Sequence, residues 1–323
     1  MIELKKWSLD EIGPHLLKDL EEIELVSNIK KLSTAFNQRN ELLETYFNDE
    51  AYVSSYASLY LPTNAIKLDF ILSKLSENVR ELIKENITTF VDYGCGPGTY
   101  SLNWIEHFSD MEVQIFDQSP LMMEQASKII KGLQNREAKH LNTALKDESL
   151  LCLGNVLNEM NDSEIKNKII NSGYKAILLI EPGTKASFQK VLKLRSALIS
   201  KGYQLFYPCP SQASCPLSRG ERKDDWCHQT LRTVHDPTVE RLCQLVQLDR
   251  KAMPFIGHLY WQEQGQKSYR KEHMLSFLKE TKFSFDYEMC VSSSDALSIE
   301  KRVLKKRELS KKEIKSLKKG SVG

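Results

Sequence analysis

The sequence predicts an α/β protein: a doubly wound, mostly parallel sheet, a helical region before it and a cysteine-rich, metal-binding extension after it. Three observations carry this. Apolar runs of strand length alternate with helix-like segments from about 88 to 205. The preceding part shows apolar residues at three- and four-residue steps, with no strand-like alternation. Beyond 206 the regularity is lost, and three of the seven cysteines gather among prolines and polar residues. With 323 residues, 41% of them hydrophobic, the chain has material for a large core, which excludes overall disorder. The expected divisions are a helical region at 1–85, a sheet domain at 86–205, a cysteine-rich region at 206–299 and a basic tail at 300–323.

The segments follow in order. "DEIGPHLLKDLEEIELVSNIKKLSTAFNQRNELLETYF" has helical spacing and good helix formers, and "YVSSYASLYLPTNAIKLDFILSKL" is expected to break at Pro62, with Thr63 or Asn64 capping a new helix. "TTFVDYG" is a strand, "SLNWIEHF" a helix, and "EVQIFDQS" a second strand. "PLMMEQASKIIKGL" is a helix with Pro120 in its first turn. "SLLCLGNVLNEM" and "YKAILLIEPGT" supply two more strands, and "KASFQKVLKLRSALISKG" a further helix ending at Gly202. "YRKEHMLSFLKETK" reads as a helix; for "FSFDYEMCVS" and "ALSIEKRVLKKREL" periodicity leaves strand and helix open. The longest apolar run is only strand length, so no membrane span is expected. An N-terminus without an apolar signal segment and rich in acids points to a cytoplasmic protein, and a monomer is the expectation.

In "VDYGCGPGTY" the first strand delivers Asp92, and Gly94, Gly96 and Gly98 follow at alternate positions. Glycines allow a sharp turn and a close approach of backbone to ligand. Asp117, nineteen residues beyond Gly98, ends the second strand, where a carboxylate can accept from a ribose diol. Together these residues resemble motif I and the following acid of class I S-adenosylmethionine-dependent methyltransferases, a Rossmann-like fold. The resemblance implies that Asp92 faces the methionine part, that Gly94 to Gly98 pass under the adenosine, and that Asp117 holds the ribose. "LGNVLNEM", with Asn155, stands where such proteins close the pocket. No residue declares itself a catalyst. Asn155, Asn158 and Glu159 can line a substrate mouth, but "NVLN" is not the Asn/Asp-Pro-Pro-Tyr signature of base-N methyltransferases.

Cys209, Cys215 and Cys227 are spaced C-x5-C-x11-C in a segment with little other reason to be ordered. In a reducing compartment such thiols suit Zn²⁺ or an iron–sulfur cluster, whose binding can supply folding energy. Cys290, Cys243 and His228 are candidates for a fourth ligand, Cys243 falling on the apolar face of an expected helix. Cys95 and Cys152 read as packed.

"CPSQASCPL" with "DDWCH", and "YLPTNAIKLDFIL", "NVLNEM", "LLIEPGT" and "YEMCVSSSDALSIEKRVLKKRE", are similar in order to a methyltransferase-like family that assists assembly of the mitochondrial small ribosomal subunit and has bacterial relatives. The resemblance covers roughly residues 45 to 312. It implies a 4Fe-4S cluster on Cys209, Cys215, Cys227 and Cys290, zinc being the alternative, and association with small-subunit ribosomal RNA. The sequence departs from that family's pattern in lacking His after the first Cys-Pro and in having Gln after "CH".

From Glu300 to Gly320 there are ten Lys or Arg against three Glu. That charge density, with Arg219, Arg222, Lys223, Arg232, Arg241, Arg250 and Lys251 around the cysteines, fits contact with a phosphate backbone. The leading expectation is therefore a small-subunit assembly or translation factor that binds rRNA, the cluster and S-adenosylmethionine. The alternatives are an active rRNA methyltransferase with a structural metal site, and a zinc-stabilised methyltransferase of small molecules or proteins.

Overall fold

A computed structural model of the chain describes residues 3–38, 45–141, 146–218, 225–262, 272–293 and 296–310. In chain order the helices are α1 (Leu9–Ile12), α2 (Glu22–Gln38), α3 (Glu50–Lys74), α4 (Glu77–Asn86), α5 (Thr99–His107), α6 (Pro120–Gln134), α7 (Lys185–Ser200) and α8 (Pro237–Val246). The strands are β1 (Thr89–Tyr93), β2 (Glu112–Phe116), β3 (Lys139–His140), β4 (Ser149–Gly154), β5 (Ala176–Pro182), β6 (Tyr203–Tyr207), β7 (Gln229–Arg232), β8 (Ala252–Gln262), β9 (Glu272–Glu280), β10 (Ser284–Ser293) and β11 (Ala296–Lys305). Two units form, one from residues 1–73, 84–154 and 234–251, the other from 74–83, 155–233 and 252–323.

In the first unit four parallel strands stand in the order β3-β2-β1-β4, with Asp92 of β1 opposite Ile115 of β2 and Cys152 of β4. Local chemistry sets the connections. Ser8 and Glu11 form a capping box at α1, and Ser119 accepts from the Met122 N–H at the start of α6, where Pro120 needs no donor. Helices α1 and α2, and α3 as far as Ser73, belong to this unit. Trp7, Ile12, Ala57, Leu61 and Ala65 pack with Leu102 and Ile129, and buried Asp69 accepts from Asn103 Nδ2 at 2.9 Å, while Asn103 Oδ1 accepts from Trp7 Nε1 at 2.6 Å.

The break at Pro62 is corrected: α3 runs straight through it. Nearly every residue from Ala51 to Leu72 is buried, so packing on all sides offsets the hydrogen bond that proline removes. Thr63 and Asn64, expected as caps, instead receive the Arg250 guanidinium at 3.2 and 3.0 Å. α8, from late in the sequence, joins the same core through Val239, Leu242, Cys243 and Val246 against Ile29 and Leu59.

The second unit holds β8 between β5 and β6, antiparallel to both, with β7 also paired to β8. The irregular region expected after 206 thus contains a central strand. Phe255, Ile256, Leu259, Tyr260 and Trp261 are each at most 1% exposed, and a strand covered on both faces has no polar alternation by which to be read. Strands β9, β10 and β11 form a separate antiparallel sheet in the order β11-β10-β9. The helix expected over "EHMLSFLKE" is strand β9, paired with β10 from Glu272 to Glu280. Its apolar spacing fits either element, and partner strands decide. Among the described residues no helix is long and apolar enough to cross a membrane.

Candidate functional site

The glycine turn lies wholly in the first unit. After β1 the N–H groups of Gly94 and Cys95 both donate to the Phe116 carbonyl, at 2.7 and 3.0 Å, so the turn is hung from the end of β2. Gly98, at φ 82°, caps α5. A Cβ there would meet Ala126 Cβ at 3.2 Å and Ile130 Cδ1 at 3.3 Å, so this glycine permits close packing of α6. Gly96, at φ 51°, faces more open space, with Tyr56 Cε1 at 3.8 Å from the place of a Cβ. Gly96 is where backbone can meet a ligand.

Two acids flank the turn. Asp92 is fully buried, and its Oδ2 accepts from the Ser101 N–H at 3.0 Å and the Ser101 hydroxyl at 2.7 Å, an anion set at the N-terminus of α5. Its Oδ1 is buried with no partner. Burial pushes its pKa up to about 6, against the pull of the Ser101 bonds, with the Asp117 charge raising it further. Asp117 Oδ2 accepts from the Gly96 N–H at 2.9 Å and Oδ1 from the Ser119 N–H at 2.9 Å; burial raises this carboxyl too. S-adenosylmethionine fits these residues, because Asp92 keeps an orphaned carboxylate oxygen and a Cβ added to Gly96 would meet nothing closer than 3.8 Å. Ser101 and Tyr56 carry no sequence signal: neither belongs to the glycine motif, and each is brought to it by a helix.

Asn155 is in the second unit, at φ 62°, its N–H donating to the Ile180 carbonyl at 2.9 Å. Asn158 Nδ2 donates to Ser187 Oγ at 2.8 Å. In "IEPGT", Glu181 is fully buried and accepts from the Leu157 N–H at 2.9 Å, and a Cβ on Gly183 would lie 2.6 Å from the Pro254 carbonyl carbon. That motif is explained by packing against β8.

The second unit also contains a cavity onto which Cys209, Cys215, Cys227 and Cys290 all open, together with Arg195, His258 and His273 and an apolar lining that includes Phe188 and Leu217. Arg195, 3% exposed, donates to the Ser211 and Ala213 carbonyls at 3.1 and 2.8 Å and so holds the cysteine loop. Burial raises all three of the thiols at 209, 227 and 290, Cys290 to about 12, and the neighbouring thiols add to the rise. Burial also pushes His258 down to about 3. Among the described residues no group of three or more His, Cys, Asp or Glu side chains could hold a metal ion. The expectations of a 4Fe-4S cluster, of zinc in its place and of a metal-binding extension are corrected accordingly. The segment that carries the cysteines is instead built into the sheet through β7 and β8.

Of the cations expected around the cysteines, Arg250 is spent on α3, Arg241 pairs with Glu22 at 2.6 Å and Lys251 with Glu240 at 3.4 Å. Arg219, Arg222 and Lys223, and the tail beyond 310, lie outside the described residues.

Solved structures that resemble the chain include methyltransferases. An O-methyltransferase family protein from Burkholderia thailandensis is 13% identical, with 81% of this chain and 73% of that one covered, at a TM-score of 0.43. The plantazolicin methyltransferase BamL is 14% identical, with 74% and 97% covered, at 0.41. The magnesium protoporphyrin IX methyltransferase of Synechocystis PCC 6803 is 10% identical, with 63% and 84% covered, at 0.36. At these values none bears on what this chain does. No curated protein matches the chain. A family described as mitochondrial small ribosomal subunit Rsm22 matches residues 50–313. That description corrects the cytoplasmic expectation, which rested on the N-terminal composition alone. With residues 50–313 of its 323 matched, the chain belongs to the Rsm22 family.

Proposed function

We propose that this protein is an S-adenosylmethionine-dependent methyltransferase whose client is RNA of the small ribosomal subunit. The observation that carries the reading is the turn after β1, where Asp92 has a buried, unpartnered Oδ1 and Gly96 would keep a Cβ 3.8 Å from its nearest neighbour. In this reading Asp92, Gly94, Gly96, Gly98 and Asp117, all of the first unit, hold the donor, which supplies an electrophilic methyl group on a sulfonium. The family's description supports a mitochondrial small-subunit client. Exposed Lys301 and Lys305 of β11 suit a phosphate backbone. Calorimetry should detect donor binding, and tritiated donor should label small-subunit RNA. Donor binding without label would leave a donor-holding scaffold. That second reading draws on Asn158, whose amide is bonded to Ser187, and on Lys190, whose ammonium lies on the Leu157 and Asn158 carbonyls at 3.2 and 3.0 Å. No donor binding by the wild type would refute both.

A further inference from the structure

The turn between β9 and β10 holds an aromatic ring out of the core. Phe283 is 73% exposed, while Phe285, two residues on in β10, is fully buried and supplies the core contact. The backbone of Phe283 is nonetheless fixed. Its N–H donates to the Thr281 hydroxyl at 3.1 Å, and its carbonyl accepts from the Lys306 N–H at 2.8 Å. The Thr281 N–H closes the turn onto the Ser284 carbonyl at 2.9 Å. The exposed ring therefore stands on backbone whose polar groups are satisfied.

Cations lie around it. Lys282 places its ammonium 5.5 Å from the ring centroid. In the sheet beside the turn, Lys305 lies opposite Ser284, and Lys279 opposite Asp286. Lys301 and Lys305 share one face of β11 with Val303, exposed between them. Lys306 and Arg302 are spent on Glu280 at 2.7 Å and Glu272 at 2.6 Å. Lys279, Lys282, Lys301 and Lys305 are all exposed, and among the described residues none of the four forms an ion pair. The acids on the same face are half-buried Asp286 and buried Glu288.

We propose that Phe283 is a stacking platform for one unpaired base of single-stranded RNA, with Lys279, Lys282 and Lys305 on the flanking phosphates. The inference rests on the RNA client proposed above. An apolar ring beside unpaired cations matches the alternation of base face and phosphate; an acidic peptide would use only the cations. In a duplex both faces of a base are already stacked, so a protruding ring takes a base only where the strand is unpaired.

The test is fluorescence anisotropy of the full chain with labelled oligouridine and with its duplex on oligoadenylate. Phe283→Ala should weaken oligouridine binding by about fivefold to about a hundredfold, the range of one base–aromatic stack, and duplex binding by less than about twofold. Phe283→Tyr, which keeps the ring face, should bind as the wild type does. Phe283→Ala removes no charge and should keep the wild-type salt slope, whereas Lys279→Ala with Lys282→Ala should lower it by about two ion contacts. The ring is exposed, so its removal leaves the core untouched. Equal weakening of single strand and duplex by Phe283→Ala overturns the platform. Weakening of neither does so too, and assigns the ring to a protein contact. A wild type that binds small-subunit RNA but not oligouridine overturns the platform alone; one that binds no RNA removes the RNA client as well.

Discussion

Gly96 and Gly98 are both left-handed glycines two residues apart, yet their surroundings predict opposite consequences of the same substitution. Alanine at either must adopt a positive φ, at about 1–2 kcal/mol. At Gly98 the new methyl also lies 3.2 Å from Ala126 Cβ and 3.3 Å from Ile130 Cδ1, tighter than ordinary contact, with the backbone of α6 behind them at 3.4 Å. Overpacking of this kind adds about 1–3 kcal/mol, so Gly98→Ala should cost ~2–5 kcal/mol of folding stability. At Gly96 the methyl meets only Tyr56, at 3.8 Å, so the cost should stay at ~1–2 kcal/mol. The methyl would nonetheless stand in the space proposed for the donor. Urea unfolding with calorimetry on both variants reads the two effects separately. Gly98→Ala should lose stability first, and Gly96→Ala should lose donor affinity while remaining folded. Equal stability losses, or a Gly96→Ala variant that binds donor as the wild type does, would refute the division of labour.

The remaining predictions concern three other places. Burial holds the Asp92 carboxyl at about 6 rather than 3.8, so the folded state keeps its proton longer than the unfolded one. Stability should fall as pH rises from about 4 to about 6 and stay reduced above, by up to ~3 kcal/mol, and Asp92→Asn should remove that component; a wild-type-minus-variant difference that is flat over this range contradicts the burial argument. Arg195→Met should free the Ser211 and Ala213 carbonyls and raise the rate of thiol labelling at half-buried Cys209 and Cys215 severalfold. Unchanged labelling would show that the loop is held by other means. Lys301→Glu with Lys305→Glu should weaken small-subunit RNA binding and lower the steepness of its salt dependence by about two ion contacts. Cutting the chain after residue 299 is the poorer test, because it severs β11 within its pairing to β10.

What the sequence determined by itself is what depends on a few neighbouring residues. A strand that ends in alternating glycines, an acid at the end of the next strand, and Pro120 in the first turn of a helix are local chemistry, and they placed the turn, Asp117 and α6 without reference to packing. Tertiary structure decided the rest, because the deciding partner is distant in the chain. Pro62 does not end α3 because burial on every side holds the helix together. β8 is a strand without alternation because β5 and β6 flank it and both its faces are covered. β9 is a strand because β10 offers it a hydrogen-bonding edge. The cysteines were legible as a set, but their protonation is a property of the cavity, where desolvation outweighs the Arg195 charge and favours thiols. Asp92 is the clearest case. The motif gives its position, while Ser101, full burial and an unpartnered oxygen exist only once α5 is laid against β1.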